Sequence, residues 1–77
     1  MNEDPRTIIG RRLKEAREYL NLSQEEAASF AKISRSAISL IENGQRKLDS
    51  VELMNIAKLY QKPIAYFTEE NRSLIHN

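Results

Sequence analysis

The fold of this chain is decided by residues 22–44, which read LSQEEAASFAKISRSAISLIENG. Near the start of this stretch, Ser23 and Glu26 have the spacing of a capping box, in which each side chain accepts a hydrogen bond from the backbone N–H of the other residue. Such a pair marks the beginning of a helix, and small residues follow on its inward side at Ala27, Ala28 and Ala31. We therefore predict a short helix at residues 24–31 that a neighbouring helix can approach closely.

A second short helix is predicted at residues 35–42. Ser34 is the candidate for its N-cap, and Asn43 with Gly44 is a typical C-terminal signal. The apolar stripe between these signals consists of Ala37, Ile38 and Ile41. Two short helices joined by about three residues, the first of them lined with alanine, are what a helix-turn-helix requires, because its helices cross closely at a steep angle, although this pattern is not unique to it.

Three further helices flank this pair. Asp4 before Pro5 favours a helix start, and Asn21 can adopt the left-handed conformation that ends a helix. Capping signals and helical spacing of apolar residues predict helices at about residues 5–20, 50–60 and 63–68, and a ragged tail at residues 69–77. No repeat and no strand pattern is present, so the predicted fold class is all-α, with five helices.

Composition narrows the class of protein. Seventy-seven residues, 40% hydrophobic and without cysteine, predict one domain at residues 1–77 that is stabilised by packing alone. The one histidine, His76, lies near a frayed end, so we expect no catalytic site, no metal site and no cofactor. No apolar run is long enough for a membrane span, and the N-terminus is unlike a secretory signal. We expect a cytoplasmic protein that is not an enzyme, with no evident small-molecule ligand.

The net charge of +1 is uninformative, but the positive charges are unevenly distributed. Between residues 32 and 47, one acidic residue, Glu42, stands against Lys32, Arg35, Arg46 and Lys47. From charge alone, a solvated surface is the more ordinary explanation. A basic central segment is also what a nucleic-acid-binding surface requires.

Several ordered segments resemble the lambda-repressor/Cro-like helix-turn-helix family, often called XRE. They are LSQEEAA at residues 22–28, ISRSAIS at 33–39 and IENG at 41–44, and the similarity extends from GRRLK at 10–14 to the last predicted helix. The resemblance implies a sequence-specific regulator of transcription that binds double-stranded DNA with its third helix in the major groove. It further implies a homodimer on a near-palindromic operator, with repression as the expected role.

The family resemblance implies base contacts from the third helix, at Arg35, Ser36, Ser39 and Leu40. Arginine can bond guanine O6 and N7 together, so Arg35 is the best single candidate. Phosphate contact or simple solvation is the alternative for Arg35, and Ser36 and Ser39 can bond several bases without reading sequence. Leu40 can touch only a thymine methyl or a sugar, or it covers the core beside Ile41.

Phosphate contacts are expected on both sides of that helix, at Gln24, Ser34, Asn43, Arg46 and Lys47. Gln24 begins the preceding helix, where free N–H groups and the helix dipole favour an anion. In the family, the loop that contains Asn43, Arg46 and Lys47 binds the DNA backbone. Ordinary helix-start and solvated-loop roles are the alternatives.

The remaining candidate residues concern stability and assembly. Arg17 and Glu42 lie beside apolar positions, and the family often pairs these two positions, so we predict a largely buried ion pair rather than two exposed charges. Ile64, Tyr66 and Phe67 in the last short helix are predicted dimer contacts, with burial inside the chain as the alternative. A lysine at position 32, where the family often has glycine, predicts backbone strain if its φ is positive.

A protein-binding adaptor or antitoxin module on the same scaffold is the competing interpretation, since fold alone does not fix function. Such a module would present a larger apolar patch on the third helix. Only Leu40 and Phe30 are of that kind in this sequence.

Overall fold

The computed structural model describes residues 4–69, and these form five helices with no strand among them. In chain order the helices are α1 (Pro5–Tyr19), α2 (Gln24–Ala31), α3 (Arg35–Glu42), α4 (Ser50–Tyr60) and α5 (Ile64–Thr68). The predicted all-α fold and the limits of the three central helices are confirmed. The predicted tail at residues 69–77, with His76, lies outside the described residues except for Glu69.

The helix starts follow the capping signals of the sequence. Ser23 and Glu26 form the predicted capping box before α2, and Asp49 and Glu52 form another before α4. α5 begins at Ile64 rather than at the predicted residue 63, because Pro63 has an extended ψ of 154° and serves as the N-cap. α1 likewise ends one residue earlier than predicted, at Tyr19.

Four of the helices end in the same backbone motif. In each, a residue with positive φ follows the last turns, and two N–H groups donate back to carbonyls of the helix, which satisfies otherwise orphaned acceptors. The residues in this left-handed conformation are Asn21 (φ 59°), Lys32 (φ 61°), Gly44 (φ 76°) and Gln61 (φ 62°). Lys32 thus has the positive φ under which strain was predicted, and only one of the four positions has the glycine that avoids it.

The core is formed by all five helices. Its buried apolar side chains are Leu13, Ala16, Ala27, Ala28, Ala31, Ile38, Ile41, Ile56, Ala57, Tyr60 and Phe67. The three alanines predicted to face inward are all on this list, and they let α2 pack closely on α3 and α4. On the other side of α3, a Cβ on Gly10 would collide with the carbonyl oxygens of Ile41 and Glu42. The backbones of α1 and α3 are therefore in direct contact at this glycine.

α5 is attached to α1 by the side chain of Arg12. Its guanidinium donates to the carbonyl oxygens of Phe67 (3.1 Å) and Glu69 (2.8 Å), where the short helix ends. Phe67 packs edge-on against Tyr60 and Tyr66, with ring centroids 6.4 and 5.1 Å apart. A five-residue helix has little stability of its own, so these contacts hold it in place.

Over the part of the chain that the structure describes, none of the helices combines the length and apolarity of a membrane span.

Candidate nucleic-acid interface

The outward surface of α3 carries the side chains predicted to contact bases. Arg35 and Ser36 are exposed, Ser39 is half-buried and Leu40 is 42% exposed, while Ile38 and Ile41 face the core. Positions 35, 36, 39 and 40 share one side of a helix. Within residues 4–69, the guanidinium of Arg35 has no ion-pair or hydrogen-bond partner, so it is available to a ligand.

The start of α3 is fixed by its N-cap. The Ser34 hydroxyl accepts a hydrogen bond from the backbone N–H of Ala37 at 3.0 Å. This bond satisfies one of the free donors of the helix N-terminus and defines the orientation of the first turn, which carries Arg35 and Ser36. The hydroxyl retains its own hydrogen and remains able to donate it to a phosphate oxygen.

The C-terminal end of α3 is held by a buried ion pair between Arg17 and Glu42. Arg17 Nε donates to Glu42 Oε2 at 2.7 Å and Nη2 donates to Oε1 at 3.0 Å, with side-chain exposures of only 10% and 3%. The remaining terminal nitrogen of Arg17 donates to the carbonyl of Leu22 at 2.9 Å. Hydrogen bonding to Glu42 raises the pKa of Arg17 above its ordinary value, against the effect of burial.

The same carboxylate also holds the first residue of α2. Gln24 Nε2 donates to Glu42 Oε1 at 3.0 Å, and the Gln24 side chain is half-buried. Burial raises the pKa of the Tyr60 phenol, and the nearby Glu42 carboxylate raises it further. Gln24, a predicted phosphate contact, is thus hydrogen-bonded to the predicted ion pair.

The two predicted cations in the loop after α3 differ in whether they have an ion-pair partner. Arg46 donates to both carboxylate oxygens of Glu52, at 3.0 and 3.1 Å, and this pairing lowers the pKa of Glu52. Lys47 is exposed, and its ammonium has no ion-pair partner among residues 4–69. Asn43 is the exposed C-cap of α3. Lys47 is therefore the freer of the two predicted loop cations.

The predicted dimer residues divide between surface and core. Ile64 is 40% exposed and Tyr66 is half-buried, but Phe67 is fully buried beneath them at 0% exposure. The prediction of Phe67 as a dimer contact is therefore wrong, because its ring is already enclosed by Tyr60 and Tyr66 within the chain. Tyr19, which the sequence analysis did not select, is 84% exposed and lines one groove together with Tyr66.

Sequence reasoning did not find two side-chain contacts that join different segments of the chain. Glu52, which caps α4, also binds Arg46 across the loop. Arg12 appeared only within a motif, yet it binds the end of α5 from 55 positions away in sequence. Periodicity cannot reveal such pairs. Gly10 did carry a signal, since glycine inside a helix often marks a close approach of another backbone.

Comparison with known proteins decides the family. The HTH_3 family model, described as Helix-turn-helix, matches residues 13–67, from the middle of α1 to α5. The chain belongs to this family. It is a helix-turn-helix protein of the lambda-repressor/Cro-like, or XRE, type and thus a DNA-binding regulator of transcription, not an enzyme. No curated protein sequence matches the chain.

Solved structures of regulators are similar to this HTH_3 chain. The restriction-modification controller protein C.AhdI from Aeromonas hydrophila is 29% identical, with a TM-score of 0.76 over 80% of this chain and 94% of that one. The clp gene regulator ClgR from C. glutamicum has a TM-score of 0.82 at 19% identity, over 99% of this chain and 100% of that one. The DNA-binding domain of BldD has a TM-score of 0.73 at 18% identity, over 88% and 99% of the two chains. ClgR and BldD show the fold alone.

The buried ion pair of this HTH_3 chain generates a stability prediction. Replacing Glu42 by alanine leaves the Arg17 guanidinium buried without its carboxylate, so we expect the free energy of unfolding to fall by roughly 3–5 kcal/mol. Urea denaturation followed by circular dichroism measures this change.

The exposed pair between Arg6 and Asp4 offers a matched control. Its atoms are 3.4 Å apart, and the two side chains are 51% and 49% exposed. Arg6→Ala should leave the unfolding midpoint nearly unchanged, because water screens such a pair. Equally small effects of both substitutions would contradict a structural role for the buried pair.

Proposed function

We propose that this regulator binds a near-palindromic operator as a dimer and represses transcription, with α3 of each copy in the major groove. The observation that carries the proposal is the free guanidinium of Arg35 on the exposed side of α3, next to Ser36. α3 is capped at one end by Ser34 and tied at the other by Glu42, so this surface is rigid. A rigid helix with one long cation and short hydroxyl side chains suits the edges of base pairs. We expect this regulator to act in the cytoplasm.

Arg35, Ser36, Ser39 and Leu40 have different parts in this proposal. Arg35 is the residue that reads sequence, since its fork of donors matches the O6 and N7 acceptors of guanine. Ser36 and Ser39 donate to or accept from base edges with little discrimination. Leu40, at 42% exposure, touches a thymine methyl group or a sugar.

Phosphate contacts flank the groove on both sides of α3. Gln24 and the free N–H groups of α2 bind one phosphate, and the hydroxyl of Ser34 binds near it. On the other side, Lys47 and Asn43 contact the backbone of the facing strand. Arg46 is the weaker candidate for a phosphate contact there, because its pairing with Glu52 offsets its charge.

Sequence reading and backbone binding can be separated by two substitutions. Arg35→Ala should weaken binding to a duplex enriched from random sequences by roughly 1–3 kcal/mol, with a much smaller loss on an unrelated duplex. Lys47→Ala should weaken binding to both duplexes by a similar factor and reduce the slope of affinity against salt by about one ion. Fluorescence anisotropy titrations over a range of salt concentrations measure both effects.

The two variants serve as controls for each other, because each removes one positive charge from the same surface. An equal loss on both duplexes for Arg35→Ala would reduce Arg35 to a phosphate contact. An unchanged salt slope for Lys47→Ala would remove the loop from the interface.

The dimer is supported by apolar surface at the C-terminal end of the described chain. Ile64 and Tyr66 remain partly exposed, and Tyr19 lines a groove with Tyr66. One eight-residue α3 can read only a few base pairs, so two copies are needed for useful specificity. Two half-sites about 34 Å apart place both copies on the same face of the duplex.

The stoichiometry on DNA tests the dimer. Sedimentation of a duplex with both half-sites should give two chains per duplex, bound more tightly than one chain binds an isolated half-site. Ile64→Asp should remove this gain, since a buried charge opposes association. One chain per duplex at saturation, with equal affinity for the half-site, would rule out the dimer and leave the reading role of α3 intact.

A further inference from the structure

The carboxylate of Glu42 accepts hydrogen bonds from two different helices. Two come from Arg17 on α1, at 2.7 and 3.0 Å, and one comes from Gln24 at the start of α2, at 3.0 Å. Glu42 itself is the last residue of α3, with a side chain that is only 3% exposed. Side chains from three helices therefore meet at one buried carboxylate, and one of them, Gln24, is partly exposed at the surface.

The contact with Glu42 determines which way the Gln24 amide faces. An ionised carboxylate can only accept hydrogen bonds, so the amide must turn its NH₂ group, and not its oxygen, toward Glu42. That NH₂ group has two hydrogens, and the bond to Glu42 Oε1 uses one of them. Within residues 4–69 no other hydrogen bond of the Gln24 side chain is present, so the second hydrogen is available, and the first turn of α2 also has free backbone N–H groups.

The negative charge of Glu42 does not repel an anion at this place. Arg17 pairs with the carboxylate through two parallel hydrogen bonds, so the pair has no net charge. The Glu42 carboxylate can therefore hold the Gln24 amide without itself repelling an approaching anion.

We propose that Glu42 is a positioning residue for DNA binding, which holds the Gln24 amide so that its second N–H meets a phosphate oxygen. The inference rests on the proposed function, because it takes the N-terminus of α2 as a backbone contact. A free glutamine side chain loses rotamer freedom when it binds a ligand. In this chain the freedom is lost on folding, so the contact forms at less entropic cost when DNA arrives.

A double-mutant cycle on DNA affinity tests the coupling. Gln24→Ala should weaken binding to the enriched duplex by roughly threefold to tenfold, the size of one hydrogen bond. Glu42→Gln should weaken binding of the otherwise unchanged chain by a similar factor, because the new amide has only one accepting oxygen for the donors of both Arg17 and Gln24. In the Gln24→Ala background, Glu42→Gln should have almost no further effect, because the side chain through which it acts is gone.

The outcomes are distinguishable once loss of folding is controlled. Ile56→Val lowers stability in the core, away from this network, and should leave the affinity unchanged. Equal effects of Glu42→Gln with and without Gln24 would overturn the positioning role while the proposed function stands. A wild-type chain that binds no duplex would overturn both.

A second measurement applies if Glu42→Gln does not fold. In the wild-type chain, the side-chain amide of Gln24 can be assigned by NMR from the signal that Gln24→Ala removes. Before DNA is added, one of its two hydrogens should be shifted and protected from exchange. On addition of the duplex, the other hydrogen should shift. Two hydrogens with solvent-like shifts and fast exchange in the free chain would overturn the proposal.

Discussion

The bidentate ion pair between Arg17 and Glu42 holds α1 and α3 together beneath the candidate DNA-binding surface. It joins the last turn of α1 to the last residue of α3, and both side chains are nearly inaccessible to water. Either charge buried alone would be strongly destabilising, so the chain favours the one arrangement in which the charges meet. Because Gln24 bonds to the same carboxylate, this arrangement also fixes the start of α2. A contact below the surface therefore positions the candidate interface.

Short connections also hold the helices in place, and the backbone of one of them is locally strained. α2 and α3 have eight residues each, too few for a stable isolated helix, so their positions depend on packing and on how their ends are closed. Lys32 closes α2 with a φ of 61°, which costs a residue other than glycine about 1 kcal/mol. The backbone tolerates this strain because Ile33 donates back to Ala28 and the buried alanines of α2 draw the next helix close.

Local signals were sufficient to predict most of the fold, and family resemblance was sufficient to nominate the site. Ser23 with Glu26 and Ser34 marked helix starts that the structure confirms, because capping depends on neighbours within three positions. Phe67 was misplaced at a dimer surface, since its burial depends on Tyr60 and on the long-range hold of Arg12 on α5. The link from Gln24 to Glu42 spans 18 positions and two helices, so spacing alone contains no trace of it. The roles of the surface residues on DNA remain predictions.

The most direct measurement of the central claim, that α3 reads the major groove, is methylation protection on the enriched duplex. Dimethyl sulfate methylates guanine at N7, which faces the major groove, and adenine at N3, which faces the minor groove. The bound protein should protect guanine N7 in two places about one helical turn apart and leave adenine N3 reactive between them. With Arg35→Ala, the protection of one guanine in each half-site should disappear. Protection of adenine N3 with every guanine N7 still reactive would contradict the account.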